Sequence, residues 1–267
     1  MKLALAGKGG VGKTTIAAAL VKLFAEKGHR VFAVDADPDS NLGASLGLPS
    51  SVLQRLTPIV EMKDLVEERT GTGKGAFLVL NPDVDDIPDR YRVRVGDISL
   101  FRMGGVKAAG TQCYCRENAF LKALVGALVL RRDDLVVLDF GAGIEHLTRG
   151  TAKGVDLLLV VTEPTRVSAD SAATMVRLGR DLGVAEVRVV GNKVRTEREA
   201  RFLAETFGED LLGLVPYDED VAEAALEGPG DEEGDGPVTV GVLRGRLCES
   251  LEELYPEIVK LAGGRRT

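Results

Sequence analysis

The chain has 267 residues, 45% of them hydrophobic, with 34 basic and 41 acidic side chains and a formal net charge of −7. That length supports one large domain with a sizeable core; no apolar run approaches the ~20 residues of a membrane-spanning helix, and the N-terminal MKLALAGKGG lacks the layout of a secretory signal. Nine acids and no bases crowd into 217–237, leaving the rest close to neutral, so no basic field points to nucleic acid, and three cysteines cannot form a disulfide framework. The expectation is a cytoplasmic protein with neither membrane nor nucleic acid as a partner.

In chain order, KLALAG (2–7) predicts a buried strand, followed by a helix over about 13–27; RVFAVDAD (30–37) predicts a second strand. A variable region covers about 44–97, with AFLVLN (76–81) as a short strand candidate. ISLFRM (98–103), LVVLDF (135–140), DLLLVVTE (156–163), VRVVGN (187–192) and LLGLVP (211–216) read as further strands. Helices fill about 117–131, 167–182, 195–207, 219–227 and 240–262. Strands apolar at every residue, separated by helix-length segments, predict an α/β fold: a mostly parallel twisted sheet of about seven or eight strands with helices on both faces. Right-handed crossovers then gather the loops after each strand along one edge, where ligands bind. EGPGDEEGDGP (227–237) reads as an acidic, flexible loop near 228–237 within a single domain spanning 1–267.

GKGGVGKT (7–14) matches G-x-x-x-x-G-K-[ST] directly after a strand and before a helix, the context that gives the motif its meaning. The backbone of Gly9, Gly10, Val11, Gly12, Lys13, Thr14 and Thr15 would cradle phosphates, helped by the helix dipole. Lys13 would contact the β- and γ-phosphates and Thr14 would ligate Mg²⁺. The second lysine, Lys8, gives KGGVGKTT, which resembles the deviant Walker A motif of the MinD/ParA/nitrogenase-iron-protein class of P-loop ATPases. That resemblance implies that Lys8 reaches across a homodimer to the partner's nucleotide. DADPDSNL (35–42) resembles switch I, which implies that Asp37 orients or activates the attacking water, with Asp35 and Asn41 in support. LVVLDFGAG (135–143) resembles a Walker B strand entering switch II: Asp139 reaches Mg²⁺, while Gly141 and Gly143 let the loop move. The class implies ATP and ADP, although spacing alone leaves GTP open. For the base, Asn192 offers a donor and an acceptor to a purine edge, and Pro216, Tyr217 and Asp218 follow the next strand.

GTQCYC (110–115) holds two of the three cysteines. Thiolates suit Zn²⁺, Ni²⁺, Cu⁺ and iron–sulfur clusters, but a structural zinc site needs four ligands. The two histidines, His29 and His146, are not beside the pair, and Cys248 has the setting of a core residue in a helix. A symmetric dimer would pool Cys113 and Cys115 from each subunit into four sulfurs. A redox pair and two incidental thiols are the rival readings; ligand type and number favour a metal. With KGGVGKTT, DADPDSNL, CYC, DFGAG and VTEPT (161–165) together, the chain resembles the carbon monoxide dehydrogenase accessory ATPases of the CooC type and their acetyl-CoA synthase relatives. The resemblance implies an ATP-dependent, metallochaperone-like factor that binds nickel or zinc at its dimer interface. Its client would be carbon monoxide dehydrogenase or acetyl-CoA synthase, served by nickel insertion. The alternatives are a MinD/ParA-type positioning ATPase and a nitrogenase-iron-protein-like iron–sulfur reductase. The first needs a basic amphipathic tail, whereas the last helix pairs Leu247 and Leu251 with Glu249, Glu252 and Glu253; the second uses well-separated cysteines.

Overall fold

The computed structural model describes residues 1–39, 41–71, 79–104, 115–132, 134–144, 147–227 and 245–264. One sheet runs through it: β1 (Lys2–Gly7), β2 (Val31–Ala36), β3 (Val93–Val95), β4 (Ile98–Arg102), β5 (Leu135–Phe140), β6 (Leu157–Thr162), β7 (Glu186–Val194) and β8 (Leu211–Pro216). Their spatial order is β3-β4-β2-β5-β1-β6-β7-β8. All neighbours pair in parallel except β3 with β4. β1, β2, β5 and β6 are buried at every residue, as expected of strands covered on both faces.

Alternation along β1 divides the core in two. Leu3 and Leu5 join α1 (Lys13–Glu26) and the C-terminal helix on one face, whereas Ala4 and Ala6 join the opposite layer with Phe120, Leu124 and Val176. The C-terminal helix, Arg246–Gly263, buries Leu247, Leu251 and Ile258 at helical spacing. That stripe belongs to the core, so the apolar face a membrane-bound tail would need is already used. The other long helices are Cys115–Gly126, Arg166–Leu182 and Glu197–Phe207. Two of these begin with built caps: the Thr165 hydroxyl accepts from Ser168 N, and Thr196 with Glu199 forms a capping box.

Some expectations change. Residues 79–81 form no strand; Val79 and Leu80 are exposed, and Val79 N donates to Thr70 O, folding the segment back onto the end of the helix Lys63–Thr70. The rest of AFLVLN lies outside the described residues. The region 44–97 instead carries β3 and the short helices Leu42–Ser45, Ser50–Leu53, Lys63–Thr70 and Ile87–Tyr91. These are too short to leave a periodic signal. The helix expected to reach 131 becomes a π-helical turn over Ala127–Arg131. Among the described residues no helix is long and apolar enough to cross a membrane. Cys113, His146 and the acidic segment 228–237 lie outside the described residues.

Candidate functional site

β1 ends at Gly7, and α1 begins at Lys13 with Gly12 as its N-cap. Gly10 and Gly12 take φ of 84° and 91°, a region a β-carbon disfavours. No side chain caps α1, so its first amides and dipole remain available to an anion. The loop lines a cleft of about 810 Å³ together with Lys13, Thr14, Thr15, Asp37 and Asn41. Lys13 is buried and donates from Nζ to the carbonyl of Lys8 at 3.3 Å. Lys8 itself is exposed at the loop tip.

Three carboxylates converge from β2 and β5. Asp35 and Asp139 are register partners on the adjacent strands. Asp35 is fixed by two amides: Leu42 N donates to Oδ2 at 3.0 Å and Asp37 N to Oδ1 at 3.3 Å. It therefore shapes the turn that carries Asp37 into the cleft. Burial is the main cause that raises Asp35 to about 6, opposed by those amides and by Arg102. Asp37 is half-buried, and its Oδ1 accepts from Asp39 N at 2.9 Å. A β-carbon on Gly141 would lie 3.5 Å from Asp37 Oδ2, so the segments after β2 and β5 touch here.

Asp139 is fully buried, and neither carboxylate oxygen has a hydrogen bond of normal geometry. Burial raises it to about 7; the Thr14 hydroxyl nearby pulls it down, and Asp35 pushes it further up. Two orphaned, buried oxygens beside a threonine hydroxyl form an oxygen-only donor set, which suits a hard cation such as Mg²⁺. Among the described residues no three His, Cys, Asp or Glu side chains gather into a complete metal cage.

The far wall comes from the ends of β7 and β8. Asn192 is buried, and its Nδ2 donates to Val11 O at 2.8 Å. One half of the amide expected at the base thus braces the phosphate loop, although the side chain still lines the cleft. Pro216, Tyr217 and Asp218 line it as well. The Tyr217 ring lies under the Arg195 guanidinium at 3.8 Å, a cation–π contact that fixes its plane. Asp218 is occupied with backbone: Oδ2 accepts from Leu247 N at 3.0 Å and Oδ1 from Asp220 N at 3.1 Å. It ties this wall to the C-terminal helix. Sequence reasoning missed Lys193, which also lines the cleft and donates from Nζ to Gly10 O at 2.6 Å. Only its place after Asn192 at a strand end could have signalled it.

Cys115 is the first residue of the helix Cys115–Gly126. This helix lies between β4 and β5 in the chain. Cys248 packs half-buried against the core, where burial pushes its thiol up.

The chain is similar to several known proteins. The family described as "CobQ/CobB/MinD/ParA nucleotide binding domain" matches residues 2–229. The carbon monoxide dehydrogenase accessory protein CooC of Rhodospirillum rubrum is 41% identical over 231 residues, covering 85% of this chain and 88% of that protein. An uncharacterized ATP-binding protein of Methanocaldococcus jannaschii is 38% identical over 267 residues, 98% of each chain. Among solved structures, Pyrococcus furiosus MinD superposes with a TM-score of 0.64 at 21% identity, over 97% of this chain and 99% of that one. MinD of Pyrococcus horikoshii complexed with Mg-ADP gives 0.63 at 19% identity, over 98% and 96%; these two establish a shared fold. The chain belongs to the CobQ/CobB/MinD/ParA nucleotide-binding family, as a deviant Walker A ATPase of the CooC type.

Proposed function

We propose that residues 1–267 form one Mg²⁺-dependent ATPase domain that works as a nucleotide-driven homodimer and assists nickel insertion into carbon monoxide dehydrogenase or acetyl-CoA synthase. The observation that carries this reading is the joining of a complete phosphate-loop cleft to 41% identity with a protein named as a carbon monoxide dehydrogenase accessory protein.

In this reading Gly9 to Thr15 bind the phosphates of ATP, and Lys13 leaves the Lys8 carbonyl to meet the β- and γ-phosphates. Thr14 and Asp139 would hold Mg²⁺, which neutralises charge on the phosphate oxygens. Asp37 orients water for attack, and Asp35 keeps the turn that presents it. Lys8 crosses to the nucleotide of the partner subunit. Asn192 and the Pro216–Asp218 wall hold the base. Cys113 and Cys115 of each subunit contribute four thiolates to Ni²⁺ or Zn²⁺, and closure over ATP alters metal affinity. Coupling of that kind must be reciprocal.

The test measures Ni²⁺ and Zn²⁺ bound per dimer, together with sizing in ADP and in a non-hydrolysable ATP analogue, for the wild type and for Cys113→Ser/Cys115→Ser. We expect metal in the wild type only, with an affinity that differs between the nucleotide states. A wild type that takes up neither metal overturns the metal role. Equal affinities in both states overturn the coupling.

A further inference from the structure

The pairing of β7 with β8 is irregular between Gly191 and Val194. Lys193 sits in that irregularity with φ of 60°. Among the described residues it is the one non-glycine residue with positive φ. A β-carbon makes this conformation unfavourable, and such strain persists only where its surroundings enforce it. Bulged strand ends near sites re-aim a side chain, and here the geometry shows the new aim. Lys193 Nζ donates to the carbonyl of Gly10 at 2.6 Å and stands 3.7 Å from Glu163 Oε2 at the end of β6. The preceding side chain, Asn192, donates to the carbonyl of Val11 at 2.8 Å.

Two consecutive residues of one strand end therefore hold two consecutive carbonyls of the phosphate loop. A loop that offers its amides to an anion must keep its carbonyls turned away from it. Gly10, at φ 84°, has no side chain of its own to restrict that orientation. Glu163 flanks the ammonium from a neighbouring strand and limits where it can swing. We propose that Lys193 is a positioning residue: with Asn192 it pre-sets the Gly10–Gly12 segment in its nucleotide-accepting shape, at the expense of backbone strain in β7. This rests on the reading of the cleft as the ATP site.

The decisive variant is Lys193→Gly in the full chain, because it removes the side chain and relaxes the backbone together. In the nucleotide-free protein, hydrogen exchange at the amides of residues 9–12 should accelerate while the melting temperature stays at or above that of wild type. A non-hydrolysable ATP analogue should bind about tenfold more weakly, the loss of one charge-assisted hydrogen bond. Lys193→Arg keeps a donor and should recover most of that affinity. Unchanged exchange at 9–12 in Lys193→Gly would overturn the proposal. So would a melting temperature that falls with exchange rising across the whole sheet, since that is the mark of a merely structural role. The exchange experiment needs no nucleotide and judges the clamp alone; failure of wild type to bind the ATP analogue would instead overturn the ATP reading.

Discussion

Substituting Gly12 by alanine probes the contact on which the phosphate loop is built. A β-carbon there would run into Nδ2 of Asn192. Asn192 is 4% exposed, so its amide has little room to retreat, and moving it sacrifices the 2.8 Å bond to Val11 O. Losing a buried hydrogen bond in this way costs about 1–3 kcal/mol. Holding alanine at φ 91° adds about 1–2 kcal/mol. The single variant should therefore lose about 2–5 kcal/mol. Asn192→Ala alone loses the bond without the strain, about 1–3 kcal/mol. In the double variant the clash has no partner, so Gly12→Ala should add only its conformational cost. The pair should then fall about 1–3 kcal/mol short of the sum of the singles. Urea unfolding of the nucleotide-free proteins near neutral pH, fitted with a common m-value, measures all four corners of the cycle. Additivity to within about 0.5 kcal/mol would show that Gly12 and Asn192 are not energetically in contact, and would refute the reasoning.

Further expectations follow from the same site. Asp139 is raised from 3.8 to about 7, mainly by burial. Its contribution to stability is therefore full below about pH 4 and is lost as pH rises through about 7. Asp139→Asn should flatten that dependence and stabilise the nucleotide-free protein at about pH 8, by up to about 4 kcal/mol; urea unfolding across pH reads it, and a variant less stable at that pH contradicts it. Lys13→Ala should lower ATP turnover by about 10²–10³, as removal of one pre-positioned charge donor does, in a phosphate-release assay. Leu251→Ala, at a site 1% exposed, should destabilise by about 2–5 kcal/mol in urea unfolding. Wild type should also fail to sediment with anionic vesicles, because that face of the C-terminal helix is already buried.

The sheet was legible because β1, β2, β5 and β6 are apolar at every residue, and only a strand covered on both faces requires that. The phosphate loop was legible because a ligand's shape constrains glycine spacing. β3 escaped notice because three residues carry no period, and at 79–81, the described end of AFLVLN, hydrophobicity alone did not say whether a neighbouring strand is there to pair with. At the site, Asp139 could be read from its motif, but the missing partners of its oxygens could not. Asn192 and Asp218 were found by position, yet their hydrogen bonds go to backbone far along the chain, at Val11 and Leu247. Lys193 escaped because its role depends on a backbone angle, which its residue type argues against.

The two margins of the sheet limit how copies of this chain can meet. At one margin β3 offers three residues and pairs antiparallel to its neighbour; at the other, β8 finishes in Pro216, which has no amide to donate. Among the described residues neither margin provides the long, unbroken row of donors and acceptors that recruits a strand from another molecule. Association by extending the sheet into a continuous ribbon is thus disfavoured at both sides. A contact made through helices or loops would leave every strand pairing undisturbed.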